Sequence, residues 1–163
     1  MPVNSLLAHP AYLALGSNLG DRAAHLRAAL ERLRERGVVL EAVSSFYDTA
    51  PLGAPAGTEH LTYLNATACV RTSLPPQELL MVLLEVERAL GRRRVTKVRN
   101  APRTIDLDLL LYADQIVNEA GLCLPHPRLH ERTFVLKPLA EIAPLVVHPV
   151  LKKTVAELLA LLK

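Results

Sequence analysis

Pro102-Arg103-Thr104-Ile105-Asp106-Leu107-Asp108-Leu109-Leu110-Leu111-Tyr112 is the stretch from which the rest of the chain can be read. With a period of two it is a strand: Ile105, Leu107, Leu109 and Leu111 point one way, and Asp106, Asp108, Leu110 and Tyr112 the other. Two carboxylates then stand on one sheet face, one strand repeat apart, with roughly 7 Å between their Cα atoms. At an effective dielectric of about 20 their mutual repulsion costs roughly 2 kcal/mol. A cation between them removes that penalty, and hard divalent ions such as Mg²⁺ favour one or two carboxylates plus substrate phosphates. For an Asp-x-Asp pair taken alone, a solvated strand face with idle aspartates is the plainer alternative.

The residues upstream shift that balance. Arg88, Arg92, Arg93, Arg94, Lys97, Arg99 and Arg103 follow one another with no acidic residue among them. Guanidinium forks bind phosphate oxygens bidentately, and a divalent cation bridges phosphate to carboxylate. A basic loop feeding a strand with paired aspartates therefore suits a polyanion that brings its own metal, and phosphate chemistry becomes the leading idea.

The chain has 163 residues, enough for one domain with a real core, and we expect a single domain over 1–163 with a short extension at 1–10. Half of the residues are hydrophobic and 21% charged, the composition of a folded globular protein and not of a disordered one. The formal net charge is only +3, so the basicity is local and no general affinity for nucleic acid or membrane follows from it. Cys69 and Cys123 lack ligand spacing and read as small buried residues in a reducing compartment, not as a disulfide or zinc site. No signal peptide or membrane-length apolar run is evident, so the expected location is the cytoplasm.

In chain order, Ala11–Leu15 reads as a strand, the turn at Gly16–Asp21 opens a helix carrying Leu26, Leu30 and Leu33, and Gly37 ends it. Val38–Tyr47 reads as a second strand, and Thr49–His60 as loop because Pro51, Gly53, Pro55 and Gly57 punctuate it. Tyr63–Thr72 alternates, which puts Tyr63 and Asn65 on one face. A ring beside an amide can hold a flat polar heterocycle; a packed Tyr and a solvated Asn fit the pattern equally. A helix follows from about Pro75 to Leu90 with Leu79, Leu83, Val86 and Leu90 on its buried stripe. Leu124-Pro125-His126-Pro127 reads as extended, and Thr154-Val155-Ala156-Glu157 is a capping box opening a last helix. Strand-helix-strand, strand-helix-strand with C-terminal additions is an α+β pattern: a ferredoxin-like split β-α-β sandwich, an antiparallel sheet with helices packed on it.

From Tyr12 to about Pro144 the chain closely resembles the 6-hydroxymethyl-7,8-dihydropterin pyrophosphokinase family. The resemblance rests on Ala-Leu-Gly-Ser-Asn-Leu-Gly-Asp at 14–21, Ser-Ser-Phe-Tyr-x-Thr at 44–49 and Tyr-Leu-Asn-Ala at 63–66. It continues in Pro-Arg-Thr-Ile-Asp-Leu-Asp-Leu at 102–109, Leu-Pro-His-Pro at 124–127 and Arg-Thr-Phe-Val-Leu at 132–136. It implies the same ferredoxin-like fold and transfer of pyrophosphate from ATP to the pterin hydroxymethyl oxygen, with release of AMP, in folate synthesis. It also implies that Asp106 and Asp108 hold two Mg²⁺ ions; that Thr49, Leu52, Tyr63, Asn65 and Phe134 surround the pterin; that Glu87, Leu109, His126 and Arg132 line the ATP site; and that Arg92, Arg94 and Arg103 approach the phosphates as catalytic groups. The segments 50–60 and 91–104 match the family's mobile loops. Asn100, Leu84 and Pro127 depart from the family pattern, and the arginine loop is one residue longer.

Two other functions share parts of this pattern. An RRM-like RNA-binding module has the same sheet and a basic loop, yet needs aromatic stacking platforms, and this chain has four Tyr, two Phe and no Trp. A metal-dependent nuclease could use the same aspartates. The expected partners are ATP and a pterin, with neither nucleic acid nor membrane; the sequence leaves the oligomeric state open, a monomer included.

Overall fold

Alternating apolar residues and 3.6-residue stripes resolve into a five-stranded sheet with helices on both faces, beside a small two-stranded antiparallel sheet at 117–124. The computed structural model describes residues 8–49, 62–91 and 104–162. In order these form β1 (His9–Ser17), α1 (Arg22–Glu35), β2 (Val39–Val43), β3 (Tyr47–Thr49), β4 (Tyr63–Thr72), α2 (Pro76–Ala89), β5 (Asp106–Tyr112), β6 (Val117–Glu119), β7 (Leu122–Leu124), α3 (Thr133–Ile142) and α4 (Val155–Leu161). The sheet order is β2-β4-β1-β5, with β3 also paired to β4, and every pairing is antiparallel. β4 thus lies between β1 and β2, the split β-α-β arrangement expected from the sequence.

Leu13, Leu15, Ala66, Ala68, Leu107 and Leu109 bury one sheet face against Leu26 and Leu33 of α1 and Leu79 and Leu83 of α2. The opposite face carries a second core of Tyr12, Leu110 and Leu111 against Val135, Leu136 and Leu139 of α3 and Val155 and Leu158 of α4. Side chains such as Leu13, fully buried, each contribute about 1.5–3 kcal/mol by leaving water. Helix ends follow local chemistry. The Asp21 carboxylate accepts from Ala24 N–H at 3.1 Å, Gly37 leaves α1 at φ +83°, and the Thr154–Glu157 box closes with bonds of 3.1 and 3.0 Å. Among the described residues no helix is long and apolar enough to cross a membrane.

Several local expectations change. β1 runs on to Ser17, so Gly16 lies in the strand and not in the turn expected over Gly16–Asp21. The strand expected over Val38–Tyr47 is two, β2 and β3, because Ser44 breaks the ladder: its hydroxyl accepts the Thr67 N–H at 2.9 Å, a donor that a strand carbonyl would otherwise take. Thr49 is consequently the last residue of β3 and not loop. The alternation of β5 fails after Leu110, since Leu109 pairs with Leu13 while Leu111 pairs with Tyr12, which leaves Leu110 as an extra residue. Leu111 therefore turns into the α3 core and Tyr112 into the α1–α2 core, the reverse of strict alternation. Beyond β7 the chain is not extended: Leu124–Pro125 is cis, and Leu129 N–H returns to the His126 carbonyl at 3.1 Å to start a 3-10 turn.

Candidate active site

The α3 face of the sheet is organised in rows by strand register. Tyr47 pairs with Asn65, Asn65 with Gly16, and Gly16 with Asp106, so these four share one row across β3, β4, β1 and β5. Thr67, Ala14 and Asp108 form the row behind, and Thr49 pairs with Tyr63 in front. Adjacent strands lie about 4.8 Å apart, so Asn65 and Asp106 stand roughly 10 Å apart across Gly16. That distance suits a bicyclic heterocycle with its substituent reaching the carboxylates.

Gly16 keeps this floor open. A Cβ there would lie 3.0 Å from Asn65 Oδ1 and 3.8 Å from Tyr63 Cδ1. Asn65 Nδ2 donates to Thr49 Oγ1 at 2.5 Å, which turns Oδ1 toward the bare glycine. Asn65 and Thr49 together offer acceptors and donors side by side, as a polar heterocycle edge requires.

Asp106 and Asp108 are both half-buried on this face, as the period of two requires. Between them Leu107 turns to the opposite core, and its N–H donates to the Glu87 carboxylate at 2.8 Å. β5 is the last strand of the sheet, so α2 covers its outer edge at the point where the carboxylates project. The bulge serves the same end of the strand: the Leu110 carbonyl accepts from His126 N–H at 2.9 Å, tying the 124–127 segment to β5. His126 Nδ1 accepts from Arg128 N–H at 3.1 Å, which leaves Nε2 to carry the proton of the neutral ring. Burial pushes the His126 imidazole below its ordinary 6.5; Arg132 adds to that, Asp106 opposes it, and Arg128 lowers it further. Arg132 in turn lies over the Phe134 ring, 5.6 Å from its centroid.

The structure thus gathers Thr49, Tyr63, Asn65, Asp106, Asp108, His126, Arg132 and Phe134 around the α3 side of the sheet. Two residues assigned to the ATP site stand elsewhere. Leu109 faces the α1–α2 core and is 5% exposed, so what it can offer a nucleotide is its backbone. Glu87 is 1% exposed, with its carboxylate on the Leu107 amide, and it positions the strand. Leu52, Arg92, Arg94 and Arg103, with the segments 50–60 and 92–103, lie outside the described residues. Among the described residues no cluster of three or more metal-ligating side chains occurs. A pair of carboxylates still fits a hard cation whose remaining ligands are phosphate oxygens and water. Gly16, placed in a turn from sequence, and the Glu87–Leu107 bond were both missed there; a glycine within a strand flags close backbone approach, but only the structure carries the strand past Gly16.

A family model described as 7,8-dihydro-6-hydroxymethylpterin-pyrophosphokinase (HPPK) matches residues 12–144. The 2-amino-4-hydroxy-6-hydroxymethyldihydropteridine pyrophosphokinase of Bacillus subtilis is 46% identical over 133 residues, covering 81% of this chain and 77% of that protein. The enzyme of the same name from Methylorubrum extorquens is 47% identical over 135 residues, covering 82% of each chain. Among solved structures, wild-type Plasmodium falciparum HPPK-DHPS superposes with a TM-score of 0.71 at 16% identity. It covers 94% of this chain, which spans 44% of that longer one, and the likeness there is one of fold. Nothing in these comparisons supports the RNA-binding reading. The sheet face that an RRM leaves open is here covered in part by α3 and α4.

Proposed function

The chain belongs to the 7,8-dihydro-6-hydroxymethylpterin-pyrophosphokinase family, and we propose that it runs the family's reaction on the α3 face of its sheet. It is an ATP-dependent pyrophosphokinase of folate synthesis. The hydroxymethyl oxygen of 6-hydroxymethyl-7,8-dihydropterin attacks the β-phosphorus of ATP. The bond from that phosphorus to the α-phosphate oxygen breaks, AMP leaves, and the hydroxyl proton passes to solvent. Thr49 and Asn65 hold the edge of the pterin, while Tyr63 and Phe134 flank its ring. Asp106 and Asp108 hold magnesium, two ions in our reading, which when bound neutralises triphosphate charge and polarises the attacking oxygen. His126 and Arg132 receive the nucleotide beside Asp106, and Arg92, Arg94 and Arg103 meet its phosphates. The chain's contribution is mainly positioning and charge, which is what a loose phosphoryl transition state rewards. Cys69 is half-buried and Cys123 exposed, where both were expected to be buried, and both are free, which suits reaction in the cytoplasm.

The observation that carries this reading is the single row Asn65–Gly16–Asp106, in which an amide and a carboxylate share one floor with a glycine between them. The test is nucleotide analysis of the reaction mixture. AMP, not ADP, should form from ATP only when both the hydroxymethylpterin and Mg²⁺ are present. Asp106→Asn and Asp108→Asn should each lower kcat about 100-fold or more. Near-normal turnover in either variant, with the fold intact, would remove the metal role.

A further inference from the structure

Thr49 sits on the shortest strand of the main sheet, and something outside the sheet must hold it. β3 has three residues and, among the described residues, pairs only with β4, at the sheet edge. Across it lies one stripe of α3: Phe134, Lys137 and Glu141 are spaced i, i+3 and i+7 and share a helix face. The Lys137 ammonium lies over the Tyr47 ring, 5.6 Å from its centroid. The Glu141 carboxylate accepts three donors from the segment entering β3: Ser45 N–H at 2.8 Å, Ser45 Oγ at 3.0 Å and the Tyr47 hydroxyl in a short bond. Tyr47 is paired with Asn65, on the face that carries Tyr63, Thr49 and Gly16.

We propose that Glu141 is a positioning residue for the pterin pocket, joining the wall that hydrogen-bonds the pterin edge (Thr49 and Asn65) to the helix stripe that carries Phe134. Ladder pairing alone fixes β3 relative to β4, but it says nothing about the spacing between β3 and α3. A carboxylate has about four acceptor sites, and three donors from 45–47 occupy this one. The gap into which a flat ring slides is therefore set by one side chain that never touches it. The mutual Glu141–Tyr47 bond also draws the Glu141 carboxyl below and lifts the Tyr47 phenol above their ordinary ranges, as expected of a bond made to the ionised acid. The inference rests on the pterin assignment of Thr49, Asn65 and Phe134.

The test is a split between the two substrates. Glu141→Ala should raise the pterin Kd and KM about tenfold, below the roughly hundredfold loss that a 1 Å displacement can cause. The Kd for an ATP analogue with Mg²⁺ should stay within about twofold, since Asp106 and Asp108 lie on β5, with β4 and β1 between it and β3. Glu141→Gln keeps an acceptor oxygen for Ser45 and should restore most of the pterin affinity. Glu157→Ala, which opens the capping box of α4 instead, controls for lost stability and should leave the pterin Kd unchanged. An unchanged pterin Kd in Glu141→Ala, or equal weakening of both substrates, overturns the positioning role while wild-type turnover stands. Failure of the wild-type protein to bind pterin would instead overturn the functional reading itself, and this inference with it.

Discussion

Replacing Glu87 by alanine tests how the carboxylate pair is held. The Leu107 N–H lies between the two aspartates, points to the outer edge of the sheet, and donates to a carboxylate that is 1% exposed. In Glu87→Ala this buried amide loses that acceptor. An unmet buried donor costs about 1–3 kcal/mol, and lost packing of the side-chain stem adds roughly 1 kcal/mol. A total of about 3 kcal/mol corresponds to a fall in Tm of about 6–12 °C for a chain of this size. Glu87→Gln retains a carbonyl oxygen and should lose less than about 1.5 kcal/mol. Urea and thermal denaturation measure both variants, and Mg²⁺ titration of kcat reads the effect on Asp106 and Asp108. Glu87→Ala should demand more Mg²⁺ for half-maximal rate, because the ledge between the two proposed ligands is no longer anchored. A stability loss of about 0.5 kcal/mol or less, the range of a surface substitution, would refute the edge anchor.

Two further outcomes follow from the same geometry. Gly16→Ala places a Cβ 3.0 Å from Asn65 Oδ1, and Asn65 is tied to Thr49, so the amide must move. We expect a stability cost of about 1–3 kcal/mol and a pterin KM raised severalfold; wild-type KM and Tm together would contradict the open floor. His148 is buried, its Nδ1 accepts from Val150 N–H at 3.2 Å and Leu151 N–H at 3.1 Å, and burial followed by the charge of His130 pulls its pKa below 6.5. The unfolded chain therefore takes up this proton first. Stability is full above 6.5 and falls as pH drops from there through the lowered folded value, until both states are protonated. His148→Asn keeps an acceptor and should shrink the loss in urea midpoint between pH 7.5 and 5.5; an unchanged loss would point to other groups.

Local periodicity carried most of the fold. Alternation over 105–108 was enough to set Asp106 and Asp108 on one face, and alternation over 63–72 to place Tyr63 and Asn65 together, because neighbours in a strand alternate whatever lies around them. The same holds for the capping box at Thr154 and the turn at Gly37, whose chemistry is complete within a few residues. Local rules failed at Ser44 and Leu110. There a side chain and a distant backbone donor took over hydrogen bonds that the ladder would have made.

The sequence by itself determined the faces of the strands over 63–72 and 105–110, the helices that begin near Asp21, Pro75 and Thr154, and the family whose chemistry they suit; it did not mark the helix at Thr133–Ile142 or divide β2 from β3. Only the tertiary structure decided what stands across from them: Glu87 on the Leu107 amide 20 positions away, Gly16 beneath Asn65, and Glu141 gripping Ser45 from 96 positions along the chain. The physical reason is one of range. A period of 2 or 3.6 is written by covalent neighbours, whereas these contacts exist only after the sheet has closed and brought remote segments within hydrogen-bond distance.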